Sequence, residues 1–176
     1  MSHVVDHPES IAVPAGVYKN LHARGARRAI CLGDMGGFGP FPDRVFPVLR
    51  QHDVTCIQGN YDHSIGNALE DCACGYTDPS DNHYAQISYD YTLANTHPTN
   101  RAWLRELPTE RREMWGNRRV LFAHGSPRQT NEFLWESTTS DSFAEHLMVG
   151  HACDVLFVTH TGIPWSRELP SGRVVI

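Results

Sequence analysis

Four short apolar runs divide this chain, and each of them leads into a side chain that can bind a metal ion. In chain order they are residues 29–32 before Asp34, 54–58 before Asn60, 120–123 before His124 and 155–159 before His160. Apolar runs of this length predict buried strands. Because ligand sites in open α/β sheets lie beyond the carboxyl ends of the strands, we expect the four side chains to face one cavity.

Helical segments alternate with these strands. We predict helices over residues 15–24, 43–51, 82–95, 99–107 and 142–149. Asp43 is the expected N-cap of the second helix, and Ser142 with Glu145 forms a predicted capping box for the last one. The first two strands and the helix between them predict a parallel pair, whereas Gly116 and Asn117 predict a hairpin turn. A second hairpin is predicted around residues 170–172, and the order of elements favours an α/β fold.

Composition and charge narrow the class of protein. The 176 residues are 40% hydrophobic, which is enough for a single domain over residues 1–176 with its own core. A net charge of -5, from 15 basic and 20 acidic residues, disfavours nucleic-acid binding and binding to an anionic membrane. No apolar stretch reaches the ~20 residues of a membrane-spanning helix and the N-terminus lacks signal-peptide features, so we expect a cytoplasmic protein. The sequence does not predict the oligomeric state.

The cysteines favour a reducing compartment, because five is an odd number and three of them fall in or beside predicted core segments. Those three are Cys31, Cys56 and Cys153. The other two, Cys72 and Cys74, could form a structural zinc site with His83. Their one-residue gap is shorter than the usual spacing of zinc ligands and no second cysteine pair follows, so we expect ordinary loop cysteines.

Each of the four polar positions also has a simpler interpretation. Asp34 could cap its own turn, and residues 59–62 are of types common in turns. His124 and His160 are followed closely by glycine and proline, an arrangement poorly suited to core packing. A metal site is favoured because the four residues occur in the order Asp, Asn, His, His. Without a metal site, each of them would need its own separate explanation.

This order and its local sequences resemble the calcineurin-like metallophosphoesterases, whose motifs along the chain read GD, GNHD, GH and GHTH. The resemblance covers residues 29–176 and is closest to the small bacterial and archaeal phosphodiesterase branch. It implies an αββα sandwich with a two-metal centre, commonly of manganese, iron, zinc or nickel, that hydrolyses phosphate monoesters or diesters. By this resemblance Asp34 bridges the metals, and Asn60, His124 and His160 are the other ligands of the second metal.

The motifs for the first metal are incomplete. Asp6 lies about one helix and one strand upstream of the GD motif and resembles the aspartate of the family's Asp-x-His, but Pro8 occupies the histidine position. Gly162 replaces the second histidine of GHTH, which would bind the same metal. We therefore expect one or two metal ions per chain, with water, Asp6 or His7 completing the first site if it forms. The resemblance also implies a member that is shortened at both ends.

Three neighbouring residues are candidates for catalysis. Tyr61 stands where the GNHD histidine helps to protonate the leaving group in many relatives, and tyrosine is a poorer acid near neutral pH. Asp62 is retained and could orient a neighbouring group, while His63 is a candidate acid. Arg128 could bind phosphate, although an exposed loop arginine is the more common case.

These residues predict a metal-dependent phosphoric ester hydrolase that is weakened by the incomplete first site. Carboxylate, amide and imidazole ligands suit manganese, iron or zinc, and such ions activate water. The expected substrate is a small phosphate ester, a nucleotide or a phosphoprotein. Two alternatives stay open, namely an inactive binding or scaffolding module and a structural metalloprotein in which the ion only fixes the loops.

Overall fold

The computed structural model describes residues 23, 25 and 28–176. Asp6 and almost all of the helix predicted over residues 15–24 lie outside the described residues. The strands are β1 (Ile30–Cys31), β2 (Thr55–Cys56), β3 (Glu110–Trp115), β4 (Arg118–Ala123), β5 (Val155–Phe157), β6 (Arg167–Glu168) and β7 (Val174–Val175). The helices are α1 (Val45–Gln51), α2 (Asn60–Asn67), α3 (Pro79–Ala94), α4 (Pro98–Arg105) and α5 (Asp141–Gly150), with a 3₁₀ turn at Pro42–Arg44.

The strands form two separate sheets. β1 and β2 pair in parallel, with Cys31 opposite Cys56, as the predicted strand-helix-strand unit requires. The other five strands lie in the order β3-β4-β5-β7-β6. The three central strands, β4, β5 and β7, are parallel to one another, whereas β3 and β6 pair antiparallel with them at the two edges. Both predicted hairpins are therefore confirmed, and together with the helices they give the predicted mixed α/β class.

Three clusters of buried side chains fill the space between these elements. The first joins the two-stranded sheet to α1, α2, α3 and α4 and includes Cys31, Phe46, Ile65, Tyr89 and Leu104. The second joins the larger sheet to α5 and includes Leu121, Met148, Leu156 and Val175. The third contains side chains from both sheets, among them Ile57, Val120, Phe122 and Val155. Successive residues of β4 thus alternate between the second and third clusters, because neighbouring side chains of a strand point to opposite faces.

The predicted N-cap of the second helix is wrong. Asp43 lies inside the 3₁₀ turn, and α1 begins only at Val45, without a side-chain cap. The Asp43 carboxylate instead accepts from the His97 backbone N–H at 3.0 Å and from Asn100 Nδ2 at 2.8 Å. These contacts with the start of α4 replace the local cap, so a tertiary interaction determines where this side chain points.

The predicted capping box at Ser142 and Glu145 is also wrong. The N-cap of α5 is Ser140, whose hydroxyl accepts from the Phe143 N–H at 3.2 Å. Glu145 instead pairs with Arg173 at 3.1 Å. Two serines within three positions could each cap this helix, and the partner at the final hairpin draws Glu145 away from the first turn.

Two other helices differ from the sequence prediction. α3 begins at Pro79, three residues before the predicted start, because Asp78 accepts from the Ser80 N–H at 2.7 Å as an N-cap and proline suits the first helical position. α2 was not predicted, since its glycine and asparagine residues are typical of turns. Within the described residues, we find no helix that is both long enough and apolar enough to cross a membrane.

Candidate metal centre

Two glycines bring the loops that follow β1 and β2 into direct contact. Gly33 has a φ of +114°, and a Cβ there would lie 2.5 Å from the Gly59 nitrogen. A Cβ at Gly59 would lie 2.7 Å from the Asp34 nitrogen and 2.9 Å from His124 Cε1, and would come nearer still to Asp34 Oδ1. The loops and the His124 ring are therefore packed without room for one more carbon atom at either glycine.

The carboxylate of Asp62 fixes the two loops relative to each other. It accepts from the backbone N–H groups of Asp34 (2.7 Å), Met35 (2.8 Å) and Gly59 (2.8 Å). The bond to Gly59 also closes the first turn of α2. Burial and the neighbouring charge of Asp34 raise the pKa of Asp62 to about 8, and the backbone donors oppose this shift. The structure thus places Asp62 where it orients the loop that carries Asp34.

Three potential metal ligands from three different loops meet at this junction. Asp34 Oδ2 lies 3.2 Å from His124 Nε2, which lies 3.1 Å from His160 Nδ1. Among the residues that the structure describes, these three form a cluster suited to a metal ion, with ligand atoms all within 4.8 Å of one another. Ligand atoms bound to one ion at about 2.0–2.2 Å lie about 3 Å apart, so the observed spacing fits a common ion.

Backbone carbonyl groups set the tautomers of both histidines. Leu32 O lies 2.7 Å from His124 Nδ1, and Cys74 O lies 3.1 Å from His160 Nε2. Because a carbonyl oxygen only accepts, each of these ring nitrogens donates its proton. His124 Nε2 and His160 Nδ1 are then unprotonated in the neutral rings. Metal-binding histidines commonly carry this kind of bond on the nitrogen that faces away from the ion.

When both rings are neutral, the three facing atoms of Asp34, His124 and His160 can each offer a lone pair to a cation. Burial and the neighbouring His124 lower the pKa of His160 to about 4, so its ring is neutral near pH 7. Burial acts to raise the pKa of Asp34, but His124, His160 and the Tyr61 N–H outweigh it and the pKa is lowered. An ionised carboxylate beside an unprotonated imidazole nitrogen is the state that a metal ion requires.

Asn60 adds a buried amide oxygen at the same junction. Its Nδ2 donates to Cys72 O at 2.9 Å and lies 3.6 Å from Cys74 Sγ. Within the described part of the chain, no group donates to Asn60 Oδ1. The next residue, Tyr61, donates its backbone N–H to Asp34 Oδ1 at 3.0 Å, which ties the start of α2 to the cluster. A buried oxygen without a donor is costly, and a bound ion would satisfy it, so Asn60 fits the donor set as a fourth ligand.

Tyr61 and His63, the catalytic candidates on either side of Asp62, lie in environments that differ from each other. Tyr61 is fully buried, and its hydroxyl donates to Ser88 at 3.2 Å. Burial raises the pKa of Tyr61 to about 12. His63 is exposed on α2 and its ring lies 3.4 Å from Asn67 Nδ2, so it does not belong to the three-residue cluster.

The loop that follows His124 brings aromatic rings to the cluster. The Phe133 ring lies 4.2 Å from the His160 ring, measured between centroids, and stacks on Trp135 at 5.1 Å. Arg128 pairs with Glu132, and its side chain is 53% exposed. Arg128 is thus an exposed loop arginine, the case that the sequence favoured, and a phosphate contact would compete with its ion pair.

The expectation of ordinary loop cysteines at positions 72 and 74 is wrong. Cys72 and Cys74 form a disulfide, with 5.2 Å between their Cα atoms. Ala73 between them adopts a φ of 50°, which brings the two side chains to the same side. His83 is exposed on α3 and, within the described residues, joins no metal-binding cluster with them. Cys31, Cys56 and Cys153 are free and buried, as predicted.

Sequence reasoning missed three contributors to this site, namely the carbonyl groups of Leu32 and Cys74 and the ring of Phe133. A backbone carbonyl carries no residue-type signal, so its partner cannot be found from a motif. The contact of Phe133 with His160 depends on how the loop after His124 folds back, which no residue pattern in the sequence indicates.

Sequence comparison reveals a distant relative. No protein-family model matches the chain. An uncharacterised protein of Methanocaldococcus jannaschii is 27% identical over 165 residues, which cover 88% of this chain. The match covers 63% of the relative, so the chain spans less than two-thirds of that protein's length.

Structural comparison gives a clearer result. The crystal structure of a hypothetical protein from Pyrococcus horikoshii OT3 matches with a TM-score of 0.72 at 20% identity, over 94% of this chain and 70% of that one. The crystal structure of a metallophosphoesterase from Sphaerobacter thermophilus matches with a TM-score of 0.62 at 21% identity, over 97% and 71% of the two chains. The protein therefore has the fold of a metallophosphoesterase.

Proposed function

We propose that this protein is a metal-dependent phosphoesterase with the αββα arrangement. The observation that carries the proposal is the convergence of potential ligand atoms from Asp34, His124 and His160. The amide oxygen of Asn60, which has no donor among the described residues, supports the same conclusion. The shared fold supports the reaction class by analogy, while the donor set supports the metal.

The chain's own residues orient the proposed ligands. A divalent ion at these ligands would supply a water molecule of lowered pKa and would neutralise charge on the phosphoryl oxygens. The Tyr61 N–H holds Asp34 Oδ1, which leaves Oδ2 directed at His124. Tyr61 itself is a poor proton donor with a pKa of about 12, so exposed His63 or solvent is the proposed source of the leaving-group proton.

We propose one ion per chain for the described residues. Gly162 stands two residues after His160, where a ligand of a first metal would be expected, and glycine has no side chain to offer. Asp6 lies outside the described residues. A single ion stabilises the attacking and leaving oxygens less well than a pair does, so the proposed activity is weak.

The proposed substrate is a small phosphate ester, and the aromatic residues favour a nucleotide. Phe133 and Trp135 are both partly exposed, and their rings lie nearly parallel at an angle of 7°. Aromatic side chains beside a phosphate site can stack on a nucleobase. An ester held at the proposed metal centre would bring its base within reach of these rings, because Phe133 contacts His160.

Hydrolysis of bis(4-nitrophenyl) phosphate with Mn²⁺ tests the proposal. We expect turnover by the wild-type protein and a loss of roughly 100-fold or more in His124→Ala, since changes outside the ligand set already cost 10–100-fold. His83→Ala is the matched control, because His83 is exposed on α3, and it should hydrolyse the ester like the wild type. Wild-type turnover by His124→Ala would refute the proposal.

An inactive binding module is the second candidate, favoured by the glycine at position 162. In that case the protein would bind Mn²⁺ and a nucleotide without hydrolysing any monoester or diester. Calorimetric binding of a nucleotide combined with no product after long incubation would support this alternative. Measurable turnover that depends on His124 would exclude it.

A further inference from the structure

We infer that the disulfide-closed segment Cys72–Ala73–Cys74 is a redox-sensitive positioning element for the proposed metal centre. The inference rests on the proposed function, because the element acts through the proposed ligands. Three consecutive carbonyl oxygens of this segment each accept a hydrogen bond from a different part of the site. Asn60 Nδ2 donates to Cys72 O (2.9 Å), Asn131 Nδ2 to Ala73 O (2.8 Å) and His160 Nε2 to Cys74 O (3.1 Å).

Two of these donors belong to proposed metal ligands. The bond from Asn60 Nδ2 turns the amide so that Oδ1 is the free end of the group. The bond from His160 Nε2 fixes the tautomer that leaves Nδ1 unprotonated toward His124. The segment therefore determines the orientation of two ligands, although it contributes none itself. Such outer contacts commonly set the metal affinity of the ligands that they hold.

The conformation of the segment depends on its closure. Ala73 adopts a φ of 50°, a left-handed conformation that residues other than glycine adopt infrequently. The Cys72–Cys74 disulfide closes the segment around it, and Asp71 Oδ1 accepts from the Ala73 N–H at 2.7 Å. Without the disulfide, Ala73 can return to the common backbone regions, and the carbonyl groups on either side of it would then change direction.

The disulfide itself also contacts the site. Cys74 Sγ lies 3.6 Å from Asn60 Nδ2, and both cysteines are buried at 5% exposure. The neighbouring Gly75 leaves little space, since a Cβ there would lie 3.3 Å from Asn131 O. A rearrangement of residues 72–75 therefore cannot stay local, because the loop that contains Asn131 packs directly on it.

The proposed switch is the reduction of this disulfide by a dithiol. The S–S bond between Cys72 and Cys74 breaks, and each sulfur gains one hydrogen. The two thiols of the reductant lose those hydrogens and join in a new disulfide, so that two electrons and two protons are transferred. In reducing compartments disulfides are usually transient, and many are redox-sensing. The proposed metal centre would then be best formed when the segment is oxidised.

Calorimetric titration with Mn²⁺ tests the positioning role without an activity assay. Three samples are compared, namely oxidised wild type, wild type reduced with a dithiol, and the double variant Cys72→Ser/Cys74→Ser. Mn²⁺ is the suitable probe because it prefers oxygen and nitrogen ligands, so the thiols that reduction releases do not bind it well. We expect Mn²⁺ affinity to fall about 10–100-fold in both forms that lack the disulfide.

Cys153→Ser is the matched control. It removes a buried sulfur from the cluster at α5, away from residues 72–74, and Mn²⁺ affinity should stay at the wild-type value. Thiol counts and circular dichroism establish the redox state and the folding of each sample. If the double-serine variant does not fold, the reduced wild type provides the comparison.

A reciprocal measurement checks the same coupling. Because coupling between two equilibria is symmetric, saturating Mn²⁺ should shift the thiol–disulfide equilibrium toward the disulfide by the factor that separates the two affinities. Equal Mn²⁺ affinity in oxidised and disulfide-free protein would overturn the positioning role and leave the proposed function intact. Failure of oxidised wild type to bind Mn²⁺ would overturn both.

Discussion

Substitution of Gly59 by alanine isolates the packing of the proposed metal centre from its chemistry. Gly59 has a φ of -89° and a ψ of 176°, which alanine adopts without strain. The three heavy atoms nearest to the added methyl group would all belong to Asp34 and His124. An effect of Gly59→Ala on metal binding would therefore come from displacement of these two residues and not from backbone strain.

The expected magnitude follows from the distances. The new Cβ would lie 2.7 Å from the Asp34 nitrogen, whereas ordinary contact begins at 3.4 Å, so Asp34 must move by about 0.7 Å and its carboxylate by about 1 Å. Such overpacking costs about 1–3 kcal/mol, which lowers the Tm of a chain of this length by roughly 2–4 °C per kcal/mol. A displacement of about 1 Å at a site can cost on the order of 100-fold.

Thermal melting with and without Mn²⁺ separates the two effects. At a metal concentration of 100 times the Kd, binding stabilises the wild type by about 2.7 kcal/mol. A variant with 100-fold weaker binding gains only about 0.4 kcal/mol at the same concentration. Gly150→Ala is the matched control, because a Cβ at that helical position meets nothing within 4 Å. It should keep the full metal response and become slightly more stable, by about 0.5–1 kcal/mol.

The reasoning would be refuted by a full metal-induced rise in Tm in Gly59→Ala. That result would mean that Asp34 and His124 can move by this distance without consequence for the ion. A lower Tm with an unchanged metal response would show that the close packing serves the fold alone.

Three further outcomes are expected. The Arg28 hydrogen bond, with those of Arg111 and Trp115, lowers the pKa of Glu113 from 4.5 to about 2. The ionised Glu113 carboxylate therefore stabilises the fold above about pH 4.5, and this contribution is lost as the pH falls through about 2. In urea unfolding, the stability of Glu113→Gln should approach that of the wild type at about pH 2, and a difference that stays constant with pH would contradict this. Elemental analysis of protein saturated with Mn²⁺ should give about one ion per chain, and two would mean that a residue outside the described set completes a second site. Trp135→Ala should raise KM for a nucleotide ester about 5-fold or more and leave KM for an alkyl phosphate ester unchanged, whereas equal shifts would argue against stacking.

The strand ends could be predicted from the sequence because buried parallel strands have a strong pattern. Each apolar run became a strand or the approach to one, and Asp34, His124 and His160 follow three of these strands in the structure. The length of the strands could not be predicted, since only two residues of the first run pair with β2. Pairing depends on the neighbour as well as on the run itself.

The errors occurred where a distant partner competes with a local one. Asp43 and Glu145 are both suitable for helix starts, but each binds a residue from another part of the chain instead. Asn60 belongs to α2, which looks like a turn in sequence and becomes a helix because Asp62 closes its first turn. Cys72 and Cys74 were evaluated as separate thiols, and their pairing depends on the left-handed conformation of Ala73.

The hydrogen bonds of the site make the proposed ligands depend on one another's loops. Leu32, two residues before Asp34, holds the His124 ring, so the loop that carries one ligand orients another. The segment 72–74 orients both Asn60 and His160 in the same way. A shift of either loop therefore reaches two ligands at once. Affinity at the proposed metal centre should then depend on contacts between loops, and a residue that coordinates nothing, such as Gly59, should affect it as well.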